Sequence, residues 1–418
     1  MGIYERLGVR PIINATCHWT AYGGTVMWPE VIEAMAEARR ACVDMRQLLD
    51  RASEVISRYT HAEASHVVSG CAAALQVGAA AIMTGDDKVK MEALPHTAGL
   101  MKNEFIARRF PRQRDPDGRE YIHWGYAHAV RGAGGVFVEV GGRQGATRDE
   151  FTAAFGPNTA GVYWVSDGVE PGIQLQDVIE IAHAHGVPVL VDASNTLPPP
   201  EHLYRFIDMG ADLVAFSGGK GLRGPQGSGI LTGRADLIRA ARAQSAPVQG
   251  IGRPMKVSKE EIVGLLTALE IWVHRDHERD LADARRRTDM VVAALAGVRG
   301  IRAEHRFPDH LGRPYPTAFV HIDPATGWTG AQVVQELLAG EPAIAIMGYD
   351  HPQIVRVDVR ILSDDETEQV ARRLRAVLST PRAGMDRTGA PAPRAHSPAP
   401  GATRPSRTVD RTEGAAHR

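Results

Sequence analysis

Strand-like and helix-like runs alternate through the middle of the chain, and polar residues fall where the strand-like runs end. This alternation restricts the fold more than any other feature. Residues 66–68 (His66-Val67-Val68) read as a short strand leading through Ser69-Gly70 into an alanine-rich helix over 71–83. Residues 161–165 read as a buried strand and 175–185 as a helix. Residues 188–191 form a strand ending at Asp192, 204–209 a helix, and 212–216 a strand ending in Ser217-Gly218-Gly219-Lys220. Such repeated strand–helix units imply an α/β fold with a mainly parallel sheet. In open sheets of this kind ligands bind beyond the C-terminal strand ends, where Asp192, Ser217 and Lys220 fall.

The flanks differ. Residues 29–41 have the pattern of an amphipathic helix entered at Pro29. From Lys259 a long helix is expected, with Ile262, Leu265, Leu266, Leu269 and Trp272 at three- and four-residue spacing, turning charged through 274–280. His274 and His277 could share a metal, but a solvated helix face is the simpler reading. A smaller α+β unit follows, with strands over 317–322, 343–347 and 354–361. Its last helix opens on the capping box Ser363-Asp364-Asp365-Glu366 and carries Val370, Leu374 and Val377 on one face. The expected organisation is an N-terminal arm and helix (1–60), a large α/β domain (61–258), a connecting helix (259–298), a small C-terminal α+β domain (299–380) and a disordered tail (381–418). The tail holds six of the 26 prolines and no Leu, Ile, Phe, Tyr or Trp, too little apolar surface to offset the entropy of ordering it.

Composition excludes several classes. With 48 Lys+Arg against 49 Asp+Glu over 418 residues the net charge is −1, and the tail's seven arginines against three acids leave the body at −5. That balance argues against a protein devoted to a nucleic acid or an anionic membrane. Three scattered cysteines (Cys17, Cys42, Cys71) cannot make a disulfide framework or a cysteine-rich zinc module. With no secretory leader pattern and no apolar run of 18 residues, the expectation is a cytoplasmic protein without bound metal.

The chemistry concentrates in Ser217-Gly218-Gly219-Lys220-Gly221-Leu222-Arg223-Gly224-Pro225-Gln226. A phosphate-binding P-loop would need glycine at 214 and Ser or Thr at 221, but Val214 and Gly221 stand there. What is left is a lysine at a strand end in a glycine-rich turn. Read alone it is either a surface lysine or a partly desolvated amine suited to a Schiff base. Asp192, at a neighbouring strand end, would share its rim; its alternative role is to cap the next element. An amine for an aldehyde and a carboxylate for a protonated ring nitrogen are what pyridoxal 5′-phosphate (PLP) requires. Ser69-Gly70-Cys71 opens a helix whose free N–H groups suit a phosphate, and Ser217 adds a hydroxyl. Cys71, at that helix start, is either a thiol of lowered pKa or a small packing residue.

These residues resemble the fold-type I PLP enzymes that include selenocysteine synthase and D-glucosaminate-6-phosphate ammonia-lyase. The likeness runs over roughly residues 3–378. It is carried by Tyr4-Glu5-Arg6-Leu7-Gly8-Val9-Arg10-Pro11, Gly23-Gly24-Thr25-Val26-Met27, residues 212–220 with Gly224-Pro225-Gln226, and Gly252-Arg253-Pro254-Met255-Lys256-Val257. The resemblance implies an aspartate aminotransferase-like large domain plus a small C-terminal domain. It implies that Lys220 holds the cofactor and moves the Cα proton, that Asp192 pairs with the ring nitrogen, and that Asn195 reaches the ring oxygen. Ser69, Gly70, Cys71 and Ser217 would hold the phosphate, and Arg253 and Lys256 lie where the family binds anions. An active site between two subunits, hence a homodimer or larger homo-oligomer, is implied too.

Two segments depart from the family. Its Asn-Ala-x-Gly-Thr stretch reads Asn14-Ala15-Thr16-Cys17-His18 here, and extra residues over 111–120 precede His123-Trp124-Gly125-Tyr126-Ala127-His128. His123 is the expected cover of the cofactor ring, with a surface loop histidine as the alternative. Arg356 and Arg360 alternate with valines, so on one strand both face the same way. Arg360 is favoured as a carboxylate ligand; an ion pair with Asp358 is the alternative. The expected reaction is Cα deprotonation of a small amino acid or amino sugar acid followed by β-elimination, with racemisation or epimerisation second and transamination or tRNA-linked selenium transfer behind.

Overall fold

Val67, Val191, Val214 and Phe216 point to one side of a seven-stranded sheet, and Val68, Leu190, Leu213 and Ala215 to the other. Period-two alternation on strands covered by helices on both faces produces this division. The computed structural model describes residues 2–142, 144–166, 168, 171–349 and 351–380; the expected tail over 381–418 lies outside them. The strands are β1 (Ala64–Val68), β2 (Glu104–Arg108), β3 (Val136–Val140), β4 (Thr159–Val165), β5 (Val189–Asp192), β6 (Leu213–Ser217) and β7 (Gly229–Gly233). Their order is β1-β7-β6-β5-β4-β2-β3. β7 runs antiparallel to both neighbours; the pairs among β6, β5, β4, β2 and β3 are parallel. The C-terminal ends of β5 and β6 therefore share one rim.

Helix α1 (Pro29–Ala38) is followed by α2 (Met45–Thr60), α3 (Cys71–Thr84), α4 (Leu175–Ala184) and α5 (Lys259–Val273). α2, α4 and α5 cover one face through Leu49, Ile56, Val178, Ile262 and Leu269. α3 covers the other with Ala73, Ala74, Ala80 and Ala81. Small residues let α3 lie close: a Cβ on Gly78 would already stand 3.3 Å from Leu190 and Leu231.

A second, antiparallel sheet is formed by β8 (Ile301–Arg306), β9 (Thr317–Ile322), β10 (Met347–Gly348) and β11 (Ile354–Val357), in the order β8-β9-β11-β10. Val320, Val355 and Val357 pack on α6 (His277–Ala294) and α7 (Asp364–Ser379) through Val291, Leu295, Val370 and Leu374. Ser363 caps α7 with Glu366, as the sequence indicates.

Three elements correct the sequence reading. The single helix expected over 259–298 is two, because the Asp276 carboxylate accepts the Arg279 N–H and starts α6 afresh. The strand expected over 343–347 is divided between partners: Ala343–Ala345 pairs in parallel with Ile12–Asn14, and Met347–Gly348 with β11. The strand expected over 354–361 stops at Val357, so Arg356 and Arg360 do not share a strand face. No helix among the described residues is long and apolar enough to cross a membrane.

Candidate active site

Asp192 ends β5 with its side chain buried, and three donors fix its carboxylate. The Ser194 N–H donates to Oδ1 at 3.0 Å, the Tyr163 hydroxyl to Oδ2 at 3.3 Å, and the Cys71 thiol to Oδ1 at 3.8 Å. The thiol contact draws the start of α3 to the rim of β5. Lys220 follows β6 by three residues and donates from Nζ to Ser194 Oγ at 3.4 Å. One polar chain thus runs Cys71–Asp192–Ser194–Lys220, joining the segments singled out in the sequence.

The glycines explain how Lys220 arrives there. A Cβ on Gly219 would come within 2.5 Å of the Gln226 backbone, and one on Gly221 within 2.5 Å of the Leu197 carbonyl; only glycine permits these approaches. The Thr25 hydroxyl donates to the carbonyls of Gly219 and Lys220 at 3.0 and 3.3 Å. Arg223 latches the far side, donating from Nε to the Val26 carbonyl at 2.9 Å with its guanidinium 3.8 Å above Trp28.

Gly70 precedes α3 at φ 89°, and no side chain caps that helix, so its first N–H groups face outward with the positive end of the helix dipole. Ser217 is aligned with Gly229 on β7. A Cβ on Gly229 would stand 2.3 Å from the Gly70 carbonyl carbon, so this glycine lets the Ser69-Gly70-Cys71 turn close on Ser217. Burial, then the Asp192 charge, pushes the Cys71 thiol well above its ordinary pKa. It is a neutral donor, which removes the reading of an activated thiolate.

Tyr126, in the same segment as His123, stands beside Lys220. Its ring centroid lies 5.5 Å from Lys220 Nζ; both Tyr126 and His123 are exposed, and the His123 backbone N–H donates to the Pro111 carbonyl at 2.8 Å. The extra residues form a hairpin, Arg112–Arg114 with Glu120–Ile122, tied to β3 by Arg112 and Glu139 at 2.7 Å. A turn then begins at Gly125 with φ 52° and turns Tyr126 toward the lysine. Burial and the Asp192 charge raise the Tyr126 pKa, keeping the phenol neutral.

Arg360 is buried and grips Asp358, with Nη2–Oδ2 2.7 Å and Nε–Oδ1 3.0 Å, and its guanidinium lies 3.7 Å above the Tyr315 ring. The Asp358 pair is the alternative weighed in the sequence, but it is buried rather than exposed. Burial opposes the Asp358 charge, and Arg360 outweighs it and holds the carboxyl below its usual range. Cys17 and His18 line the same side. Cys17 is buried at φ 70°, with Sγ 3.2 Å from His18 Nδ1. Burial, then the charges of Arg360 and Lys220, brings His18 down to about 3, so a neutral imidazole stands near the lysine. Asn195 Oδ1 is buried without a donor. Arg253 and Lys256 are exposed around a short 3-10 turn and take no part in the Lys220–Asp192 chain.

PLP fits this donor set. The aldehyde has the amine of Lys220, the phosphate has an uncapped helix start with two serines beside it, the ring nitrogen has an oriented carboxylate, and the ring oxygen could take a hydrogen bond from the Nδ2 of Asn195, an amide whose Oδ1 has no partner of its own. Sheet topology and donor set together define a PLP-dependent enzyme of fold type I. The class-V aminotransferase family model matches residues 122–304. The chain is 34% identical over 396 residues, 93% of each chain, to a 5'-C-glycyluridine monooxygenase-decarboxylase of a Streptomyces species. It is 32% identical to the D-glucosaminate-6-phosphate ammonia lyase of Salmonella typhimurium over 90% of this chain and 97% of that one. A solved structure of D-glucosaminate-6-phosphate ammonia-lyase superposes with TM-score 0.75 at 31% identity, covering 90% of this chain and 98% of that one. The chain belongs to this family of PLP-dependent enzymes.

Proposed function

We propose that the protein is an ammonia-lyase acting on a small amino acid or amino sugar acid that carries a leaving group at Cβ. The observation that carries this reading is the hydrogen-bonded run from Cys71 through Asp192 and Ser194 to Lys220, at the start of an uncapped helix. Bound PLP supplies an electron sink for the carbanion at Cα. Lys220 moves the Cα proton, Asp192 holds charge at the far end of the site, and Ser69, Gly70, Cys71 and Ser217 hold the phosphate. Asn195 donates from Nδ2 toward the ring oxygen, and Tyr126 stands beside the lysine. Loss of hydroxide from Cβ, with hydrolytic release of ammonia, leaves a 2-keto acid. Arg253 and Lys256 are assigned to anion binding across a homodimer interface. The exposed Ile3, Tyr4, Leu7 and Val9 of the N-terminal arm give a dimer apolar surface to bury. The cytoplasm is the assigned compartment.

A second reading is favoured by the relative named as a monooxygenase-decarboxylase together with the Cys17-His18 pair beside Arg360. It replaces elimination by loss of the α-carboxylate as carbon dioxide, with dioxygen as co-reactant. Racemisation, in which the proton returns to the opposite face of Cα, is the remaining alternative.

The test is an absorbance scan of the purified protein beside Lys220→Ala, before and after D- and L-amino acids. Keto acid and ammonia, dissolved oxygen, and enantiomer ratio are then followed with whichever compound shifts the spectrum. A visible band altered in Lys220→Ala, with keto acid and ammonia in equal amounts, is the expected result. Oxygen uptake with carbon dioxide release would move the assignment to the second reading, and enantiomer exchange alone to a racemase. A protein that stays colourless after incubation with PLP would refute all three.

A further inference from the structure

Cysteine and histidine stand at positions 17 and 18, where the family pattern has glycine and threonine, and elimination at Lys220 leaves both without a role. Their turn is fastened to two sides of the site. On one side, Asn14 Nδ2 donates to the carbonyls of Cys17 and Gly24 at 3.2 and 3.0 Å. Thr25, next to Gly24, donates to the carbonyls of Gly219 and Lys220. On the other side, Thr16 forms a parallel bridge with Asp358, whose N–H donates to the Ala15 carbonyl at 3.0 Å. Asp358 in turn holds Arg360. The turn therefore lies between the Lys220 loop and Arg360, and the charges of both act on the His18 ring.

The pair has a defined hydrogen-bonding state. Cys17 is buried at φ 70°, and its Sγ lies 3.2 Å from His18 Nδ1. Burial pushes the thiol up to about 12 against the pull of Arg360, so it keeps its proton. A neutral thiol beside an imidazole lone pair donates to it, since sulfur is the weaker acceptor of the two. Nδ1 therefore accepts, and the single proton of the neutral ring sits on Nε2. Burial, then Arg360 and Lys220, keeps that ring neutral. Among the described residues Nε2 has no hydrogen-bond partner, and the ring is half-buried. A fixed N–H donor, rather than a titrating base, is left over at the site.

Arg360, the carboxylate ligand favoured from the sequence, is largely spent. Its Nε and Nη2 both bond to Asp358, so the fork that would grip a substrate carboxylate through these two nitrogens is closed. Three cations, Arg360, Lys220 and Arg313, act on the His18 ring against one anion, Asp358. A neutral donor in such surroundings suits an anionic acceptor. We propose that His18 donates from Nε2 to the α-carboxylate of the substrate, with Cys17 as the positioning residue that fixes its tautomer. This rests on the reading of the chain as a PLP enzyme for amino acids, and does not depend on which bond at Cα or Cβ breaks.

Two measurements on the PLP-loaded enzyme test the pair. Wild type, Cys17→Gly, His18→Ala and His18→Gln are compared, each first checked for the wild-type cofactor spectrum and circular dichroism. Nitrogen-15 NMR of histidine-labelled protein reads the tautomer, with the His18 signals assigned by their loss in His18→Gln. A proton on Nε2 in wild type and a mixture of tautomers in Cys17→Gly are expected. Calorimetric titration with D- and L-alanine, and with ethylamine, which lacks the carboxylate, reads the contact. Wild type should bind one alanine enantiomer more tightly than ethylamine. That preference should fall about tenfold or more in His18→Ala and less in His18→Gln, whose amide keeps an N–H at the Nε2 position. A proton on Nδ1 in wild type, a wild type that does not distinguish alanine from ethylamine, or an undiminished preference in His18→Ala overturns the contact. An unchanged tautomer in Cys17→Gly overturns the role of Cys17. Each of these results leaves the cofactor assignment intact, since that assignment stands or falls with the visible spectrum.

Discussion

His66 gives the most direct test of how burial controls charge in this protein. It lies in β1 opposite Leu231, is 2% exposed, and neither ring nitrogen has a hydrogen-bond partner. Burial, then the charge of Arg242, lowers its pKa from 6.5 to about 3. In the unfolded chain the ring titrates near its ordinary value. Between these two values the unfolded state binds a proton that the folded state refuses, so acid favours unfolding. The contribution is complete above about pH 6.5 and falls by about 1.4 kcal/mol per pH unit toward about pH 3. At about pH 5 the wild type has lost about 2 kcal/mol through this residue alone. His66→Leu removes the titration, keeps the apolar volume, and deletes two buried nitrogens that cost about 1–3 kcal/mol each when unpaired. Urea unfolding of the PLP-loaded protein, followed by tryptophan fluorescence at about pH 7.5 and pH 5, measures both effects. The variant should be at least as stable as wild type at the higher pH and lose about 2 kcal/mol less on acidification. Equal losses in the two proteins would show that His66 is protonated, or hydrated, in the native state, and would refute the reasoning.

Three further outcomes are expected at the site. Asp358→Asn leaves the Arg360 guanidinium buried without its partner and should cost about 3–5 kcal/mol in thermal or chemical unfolding; adding Arg360→Met should recover most of that loss. Tyr126→Ala should weaken PLP retention by up to about tenfold, the worth of about 0.5–1.5 kcal/mol of ring contact, while Tyr126→Phe keeps it; fluorescence titration of cofactor into the apo protein reads the difference. Asp192→Asn should lower kcat by about a hundredfold or more with a smaller change in KM, since the Ser194 N–H still orients the amide oxygen while the negative charge is gone.

Lys220, Asp192 and the 69–71 turn were legible in the sequence because each ends a strand or starts a helix, and periodicity alone places those ends on one rim. What escaped depends on distant partners. The run 354–361 has the alternation of one strand, yet after Val357 the Asp358 N–H donates to the Ala15 carbonyl. The backbone exchanges β9 for the N-terminal segment and carries Arg360 away from Arg356. Residues 343–347 divide for the same reason, half pairing with Ile12–Asn14. The approach of Tyr126 to Lys220 escaped too, because it is made by a hairpin and by the left-handed turn at Gly125, which residue chemistry does not encode.

The N-terminal segment that divides 343–347 and ends the strand at Val357 also carries backbone strain at the site, as does Arg223 at φ 57° in the Lys220 loop. Cys17 adopts φ 70°, a conformation suited to the glycine of the family pattern and unfavourable for a residue with a Cβ. The strain is held by Asn14, whose Nδ2 donates to the carbonyls of Cys17 at 3.2 Å and Gly24 at 3.0 Å while Oδ1 accepts from the Thr16 N–H and hydroxyl. One side chain thereby ties the turn bearing Cys17 and His18 to the segment that holds the Lys220 loop through Thr25. A cysteine there puts a side chain beside Arg360 and Asp358 where the family pattern has none. Local rules therefore fail where the reacting groups meet, as expected when selection acts on the shape of a site and the surrounding hydrogen bonds sustain the strain.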